Sequence, residues 1–180
     1  MTRPGAMTRS GTTAIARRPI LLAASAAAAS LTGLLVADQT TAIAAQSGAN
    51  PAFDALLDRY VAAVNAHDTS KFPDIVTETY IQHSGRSPSG LQAQIANYQR
   101  IFENWPDFQT RIEDRIFGGD RIVARATLSA THTRTVQGFA PTGKRVAWAT
   151  IDIWRVENGK LAEHWDVVDI AGLLRQLRGD

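Results

Sequence analysis

Apolar positions in the first half of the chain beyond residue 50 recur three or four residues apart, which predicts amphipathic helices. Asn50-Pro51 is a typical helix start, because Asn caps a helix and Pro suits its first turn. Ser87-Pro88 predicts a second start of the same kind. Between these two helices, Thr77–Gln82 reads as a strand. The two apolar stripes comprise Phe53, Leu56, Leu57, Tyr60, Val61 and Val64, and then Leu91, Ile95, Tyr98 and Phe102.

After Pro106 the pattern changes from helical spacing to alternation, which predicts β-strands. A final helix follows, capped by Asp169 and running through Leu177. Helices followed by an antiparallel sheet indicate an α+β architecture in which the helices cover one face of the sheet. The alternating segments are Phe108–Phe117, Arg121–Thr135, Arg145–Val156 and Lys160–Val168.

The N-terminal segment differs from the rest. Arg17-Arg18 precedes an apolar, alanine-rich run over Ile20–Ala37, and Ala42-Ile43-Ala44 has the small-residue pattern of a cleavage site. We therefore expect residues 1–44 to be a signal peptide, with the paired arginines favouring twin-arginine export. Sec export and a retained membrane helix remain alternatives. Residues 45–180 then form a single exported domain, periplasmic or extracellular, with no membrane association after cleavage.

Composition narrows the function classes. Without residues 1–44 the chain carries 15 basic and 16 acidic residues. Nucleic-acid binding is therefore not indicated, because it usually requires an excess of basic residues. Cysteine is absent, which excludes disulfides, a thiol nucleophile and thiolate metal sites. The four histidines show no metal-binding spacing, so no metal site is expected.

The Asn158-Gly159 turn predicts a hairpin whose register decides the chemistry of the chain. A turn with a glycine bulge pairs Glu157 with Leu161, and it then sets Asp152 opposite Asp166. A strict two-residue turn would place Asp152 opposite Trp165 instead. In the first register one face carries both carboxyl groups, and its members are Trp148, Thr150, Asp152, Trp154, His164 and Asp166.

Two carboxyl groups facing each other beside indole rings cannot both ionise cheaply, so one should hold its proton near neutral pH. Such a group can act as a general acid or base. The alternative is structural, with Asp166 accepting backbone or arginine hydrogen bonds at a sheet edge. His132, expected in mid-strand, is a third catalytic candidate that could point into the cavity. The predicted substrate-binding residues are His83, His164, Tyr80, Trp148 and Trp154.

Three phrases carry a resemblance to a known family: YIQHSG at residues 80–85, THTRTVQGFAPTGK at residues 131–144, and DIWRVENGKLAEHWDVVDIAGLLRQL at residues 152–177. They resemble the SnoaL-like polyketide cyclases, or ester cyclases, of the nuclear transport factor 2-like superfamily. The family usually has glycine after the THT-type motif, where this chain has Arg134. The resemblance implies a cone-shaped α+β fold, with a curved, mostly antiparallel sheet packed against N-terminal helices.

The resemblance also implies an aldol ring closure that needs no metal and no cofactor and is driven by one aspartate on the last strand. By position that aspartate is Asp166, with Asp152 as its partner on the preceding strand. The substrate would be a small apolar carbonyl compound, and a homodimer is expected. Two alternatives stay open: a domain that binds a small molecule without catalysis, and a dimeric scaffold of the same fold.

Overall fold

The structure, a computed structural model, describes residues 49–179. The expected signal peptide, residues 1–44, lies outside the described residues. The helices are α1 (Pro51–Asn65), α2 (Phe72–Ile75), α3 (Leu91–Asn104) and α4 (Ile170–Arg178), with a 3₁₀ turn over Thr69–Lys71. The strands are β1 (Val76–Gln82), β2 (Gln109–Gly118), β3 (Arg121–Thr131), β4 (Arg145–Glu157) and β5 (Lys160–Val168). None of the described helices combines the length and apolar character needed to cross a membrane.

The five strands form one curved sheet in the order β1-β5-β4-β3-β2. Strands β2 to β5 pair antiparallel, and β1 joins the edge parallel to β5. The helices supply an apolar layer that shares one core with the sheet, including Leu57 and Phe72, which are fully buried, together with Ile122 of β3 and Leu161 of β5. The expected α+β class is therefore confirmed.

Capping side chains fix two helix starts as the sequence predicted. Asn50 Oδ1 accepts a hydrogen bond from the backbone N–H of Phe53 at 3.1 Å, and Asp169 Oδ1 accepts one from Gly172 at 2.7 Å. The expected start at Ser87-Pro88 is wrong, because α3 begins at Leu91 after Gly90. Gly90 has a φ of 103°, which a side chain would resist, and the helix begins only after it.

The hairpin between β4 and β5 has the expected long-range register but not the expected turn. Asn158 and Gly159 form a two-residue connection, both at positive φ as a type I′ turn requires, so Glu157 pairs with Lys160 rather than Leu161. A bulge at Ala162 then shifts the register by one residue. Asp152 consequently lies opposite Asp166. The expected turn with a glycine bulge would have given the same pairing.

Strand β3 ends at Thr131, four residues earlier than the alternation predicted. His132 therefore follows the strand rather than lying inside it. Its backbone N–H donates to Lys144, and its carbonyl accepts from Thr142 and Gly143. These bonds hold the returning chain against β3 just before β4 begins, so this segment is a structured loop rather than a continuation of the strand.

Candidate functional site

The inner face of the sheet and the helices above it enclose a cavity of about 460 Å³. Alternation along β4 and β5 directs one set of side chains into it, as predicted for this face. The exposed residues Arg86, Arg100 and Gln137 mark its mouth. Six aromatic side chains contribute to its wall: Tyr60, Tyr98, Trp105, Phe108, Trp148 and Trp154. Its most polar part is formed by Gln82, Asp152, His164 and Asp166.

Asp152, His164 and Asp166 form a tight cluster in which one ligand atom from each lies within 4.8 Å of the others. His164 Nε2 is 2.9 Å from Asp152 Oδ1, and the imidazole stacks on the Trp154 indole at 5.1 Å. The side chains of His164 and Asp152 are only 7% and 14% exposed. The predicted convergence of the two carboxyl groups is observed, and the histidine that joins them in the cluster is His164 rather than His132.

The two oxygens of Asp166 have different environments. Oδ2 forms an ion pair with the Arg86 guanidinium, while Oδ1 is buried and has no hydrogen-bond partner among the described residues. The Asp166 side chain is 9% exposed, whereas that of Arg86 is 46% exposed. Because a buried carboxylate oxygen without a partner is costly, this atom is better suited to a ligand than to the stability of the fold.

A hydrogen-bonded pair of tyrosines lines the same cavity. The Tyr60 and Tyr98 hydroxyl oxygens are 2.7 Å apart. Burial is the main cause that raises the pKa of both phenols, and the negative charge of Asp152 adds to it. Each phenol therefore keeps its proton at neutral pH. One of the two O–H hydrogens is used within the pair, and the described residues offer no acceptor for the other.

The remaining residues singled out in the sequence have mixed placements. Trp148 and Trp154 line the cavity as expected. Tyr80 is buried in the core next to His164, with ring centroids 6.4 Å apart, and does not itself line the cavity. Burial raises the pKa of Tyr80, so it too stays protonated. His83 lies on the outer face, where its ring stacks on Trp165 with centroids 4.3 Å apart, so its predicted role in substrate binding is wrong.

His132 also differs from its expected place in the cavity. It is fully buried next to Trp105, whose indole lines the cavity, with ring centroids 5.8 Å apart. Its Nδ1 is 3.2 Å from Thr142 Oγ1, while Nε2 has no partner among the described residues. The early end of β3 explains the difference, because alternation no longer sets the direction of the side chain.

Sequence reasoning missed two polar neighbours of the cluster. Gln82 ends β1 and reaches His164 Nδ1, and Arg86 lies in the loop that follows and reaches Asp166. Gln82 belongs to the YIQHSG phrase, which was a usable signal. Gln82 reaches His164 because β1 pairs parallel with β5. The hydrophobic pattern within a single segment does not predict such a pairing.

The cluster could offer a cation one atom each from Asp152, His164 and Asp166. Part of this set is already partnered, since Arg86 forms an ion pair with Asp166 Oδ2 and His164 Nε2 is hydrogen-bonded to Asp152. A cation would have to compete with the Arg86 charge for Asp166 and with the hydrogen bond between His164 and Asp152. The arrangement is better suited to moving a proton: it combines a carboxyl group with a free oxygen, a second carboxyl group held by imidazole, and tyrosine donors in an aromatic cavity.

Comparison with known proteins agrees with this fold. The chain is 28% identical over 107 residues to nogalonic acid methyl ester cyclase of Streptomyces nogalater, an alignment that spans 58% of this chain and 78% of the relative. TsrD of Streptomyces laurentii superposes with a TM-score of 0.66 at 28% identity, covering 72% of this chain and 97% of TsrD.

AclR of Streptomyces galilaeus, a candidate hydroxylase, superposes with a TM-score of 0.63 at 29% identity, covering 71% of this chain and 96% of AclR. The neighbours also confirm the nuclear transport factor 2-like fold. The sequence model of the SnoaL-like polyketide cyclase family matches residues 54–177, which is most of the chain. The protein therefore belongs to that family.

Proposed function

We propose that this protein is a cofactor-independent enzyme in which Asp166 acts as general acid and base on a carbonyl substrate held in the cavity. The observation that carries the proposal is the free Asp166 Oδ1, which is buried beside Asp152 and His164 and has no partner among the described residues. A carboxylate oxygen in such a place can accept a proton from a bound molecule without first giving up a hydrogen bond.

The proposed step is an intramolecular aldol closure. The Asp166 carboxylate takes a proton from the substrate carbon next to an ester or ketone carbonyl. This breaks the C–H bond, leaves the substrate as an enolate and converts Asp166 to its protonated form. The enolate carbon then attacks a second carbonyl of the same molecule, forming the C–C bond, and the resulting alkoxide takes the proton back from Asp166. No oxidant or reductant is needed.

The tyrosine pair suits the charge that develops in this step. The hydrogen that remains free on Tyr60 or Tyr98 can donate to the carbonyl oxygen as it becomes an enolate. Both phenols stay protonated at neutral pH because burial raises their pKa. The aromatic wall fits an apolar, ring-forming substrate of the class named for the Streptomyces nogalater relative.

Proton abstraction can be measured before the natural substrate is known. The protein is incubated in D₂O with a panel of aromatic β-ketoesters and methyl ketones, and deuterium incorporation next to the carbonyl is followed by NMR. We expect incorporation above the buffer rate, and we expect Asp166→Asn to lower it by about 100-fold or more. Asp114→Asn is the matched control, because Asp114 is an exposed carboxylate paired with Arg125 on the far side of the sheet.

The Arg86–Asp166 ion pair favours a second candidate, a domain that binds a small apolar molecule without catalysis. A carboxylate held permanently by a guanidinium is a poor base. The two candidates differ in one readout. A binding domain quenches the fluorescence of Trp148 and Trp154 when a β-ketoester enters but incorporates no deuterium, whereas the enzyme does both. Quenching without exchange across the whole panel would favour the binding domain.

We also propose that the protein is a homodimer joined through the outer sheet face. Val167 of β5 and Ile151 of β4 are cross-strand partners there and are 76% and 48% exposed, which forms an apolar surface on two adjacent strands. Ile116, on β2, is 56% exposed. Light scattering after size exclusion should give twice the chain mass, and Val167→Asp with Ile151→Asp should give the monomer. A wild-type monomer at micromolar concentration would contradict the proposal.

Export through residues 1–44 is a further part of the proposal. It is supported by Arg17-Arg18 and the apolar run that follows. Fusing residues 1–44 to a reporter that is active only outside the cytoplasm should give signal. Replacing both arginines by lysine should abolish the signal if the twin-arginine route is used, and should leave it intact if the Sec route is used. No signal from the unaltered fusion would contradict export.

A further inference from the structure

Gln82 is held firmly at the edge of the cavity. It is the last residue of β1 and lies opposite His164 in the parallel pairing with β5. Its backbone N–H donates to Ser89 Oγ at 3.1 Å, and the next residue, His83, donates its backbone N–H to the carbonyl of His164 at 2.9 Å. These bonds fix the position from which the Gln82 amide reaches the cluster.

The orientation of the Gln82 amide follows from its other partner. The backbone N–H of Ser84 lies 3.2 Å from Gln82 Oε1. A backbone N–H can only donate, so the atom that faces it must be the amide oxygen. The opposite atom, Nε2, is then directed at His164 Nδ1, 3.0 Å away. This contact therefore has an N–H donor on the glutamine side.

The proton positions on His164 follow in turn. Because Gln82 Nε2 donates, His164 Nδ1 must accept and carries no hydrogen. A neutral imidazole then has its hydrogen on Nε2, which faces Asp152 Oδ1 at 2.9 Å and donates to it. A proton added at Nδ1 would point at the side-chain N–H of Gln82, so two donors would face each other. The chain Ser84–Gln82–His164–Asp152 thus has one consistent direction of donation.

We infer that Gln82 is a positioning residue that holds His164 as the neutral Nε2–H tautomer and keeps Asp152 as a hydrogen-bond acceptor. The mobile proton of the site is thereby left to Asp166, whose Oδ1 is not part of the chain. The other groups around His164 are Asp166 on its own strand, Arg86 in the loop and the Tyr80 ring. The tautomer of His164 is inferred from the hydrogen-bond geometry alone, whereas the role of that tautomer in catalysis rests on the proposed function.

The tautomer can be measured without substrate. In ¹⁵N-labelled protein, long-range ¹H–¹⁵N correlation spectra of the imidazoles distinguish a protonated ring nitrogen from one with a lone pair. His164→Asn identifies the signals of His164. In the wild-type protein at neutral pH we expect a lone-pair signal for Nδ1 and a protonated signal for Nε2. The reverse assignment, or protonation at both nitrogens, would overturn the inference.

Gln82→Glu tests the part played by the amide. The introduced carboxylate accepts where the amide donated, so His164 becomes doubly protonated between two carboxylates, and both nitrogens give protonated signals. Gln137→Glu is the matched control, since it adds the same charge at the cavity mouth without a hydrogen bond to His164. Unchanged His164 signals in Gln82→Glu, or the same change in Gln137→Glu, would overturn the role of Gln82.

Activity gives a separate readout. We expect Gln82→Glu to lower deuterium incorporation about 10-fold or more, the size of the loss seen when a partner that orients a metal-binding histidine is removed. A wild-type protein with the expected tautomer but no exchange activity would contradict the proposed function and leave this inference standing. Exchange activity together with the opposite tautomer would overturn the inference and leave the proposed function standing.

Discussion

Strand β5 carries two acidic residues that differ in how their oxygens are satisfied. On the outer face, Glu163 accepts from His83 at 2.9 Å with one oxygen and from Arg155 at 2.5 Å with the other. On the inner face, Asp166 pairs one oxygen with Arg86 and leaves the other buried without a partner. The two residues are three positions apart on one strand and therefore face opposite sides of the sheet.

The comparison separates a structural carboxylate from a candidate catalytic one. Hydrogen bonds from His83 and then Arg155 lower the pKa of Glu163 below its ordinary value of 4.5, so its anion stabilises the folded state. Asp166 is only half satisfied in a cavity lined by aromatic rings. Its unpaired oxygen is an acceptor that a molecule in the cavity can use.

The largest expected contrast between the two faces is in stability, and a pair of tryptophans tests it. Trp154 is 2% exposed between the Tyr60 and His164 rings, so Trp154→Ala should cost about 3–5 kcal/mol. Trp165 is only half-buried between His83 and Arg121, so Trp165→Ala should cost about 1 kcal/mol. Urea denaturation of both variants measures the difference, and equal losses would break the distinction between the faces.

A second contrast concerns a substitution that should lower activity while leaving the stability of the fold nearly unchanged. Replacing Tyr60 and Tyr98 together by Phe removes both partners of a buried hydrogen bond, which is nearly neutral for folding. It also removes the proposed donor to the enolate, so deuterium incorporation should fall by about 100-fold. Tyr80→Phe is the control, because that hydroxyl belongs to the core rather than to the cavity wall. Unchanged exchange in the double variant would remove the tyrosines from the mechanism.

The smallest contrast is a pH dependence on the outer face. The folded-state pKa of Glu163 is lowered, so its contribution to the free energy of unfolding is present above pH 4.5 and lost as pH falls through the lowered value. Glu163→Gln should therefore reduce the melting temperature at pH 7, and the gap to the wild type should close below pH 4.5. A gap of constant size across this range would show that Glu163 does not stabilise the fold as an anion.

Much of this arrangement was predictable from the sequence. Alternation along β4 and β5 identified the inner-face residues, and the pairing of Asp152 with Asp166 is confirmed. The turn was predicted wrongly, and the pairing survived because the Ala162 bulge shifts the register by the same single residue. A bulge at an apolar position leaves no local signal, so this compensation could not have been read from the sequence.

The loops were less accessible to prediction. His132 lies outside the cavity because β3 ends at Thr131, and strand ends depend on competing loop contacts rather than on alternation. Arg86 and Gln82 reach the cluster only because β1 pairs parallel with β5, a contact between segments some 80 residues apart. The protonation of the two carboxyl groups stays a prediction, as does the absence of a metal or cofactor.

The most direct test of the account is the rate of deuterium incorporation in Asp166→Asn and Glu163→Gln, measured side by side on the same ketone. Each variant replaces one carboxylate of β5 by its amide. Asp166→Asn should lower the rate by about 100-fold or more, while Glu163→Gln should stay close to the wild-type rate. Equal rates in the two variants, or a greater loss in Glu163→Gln, would contradict the assignment of proton transfer to Asp166.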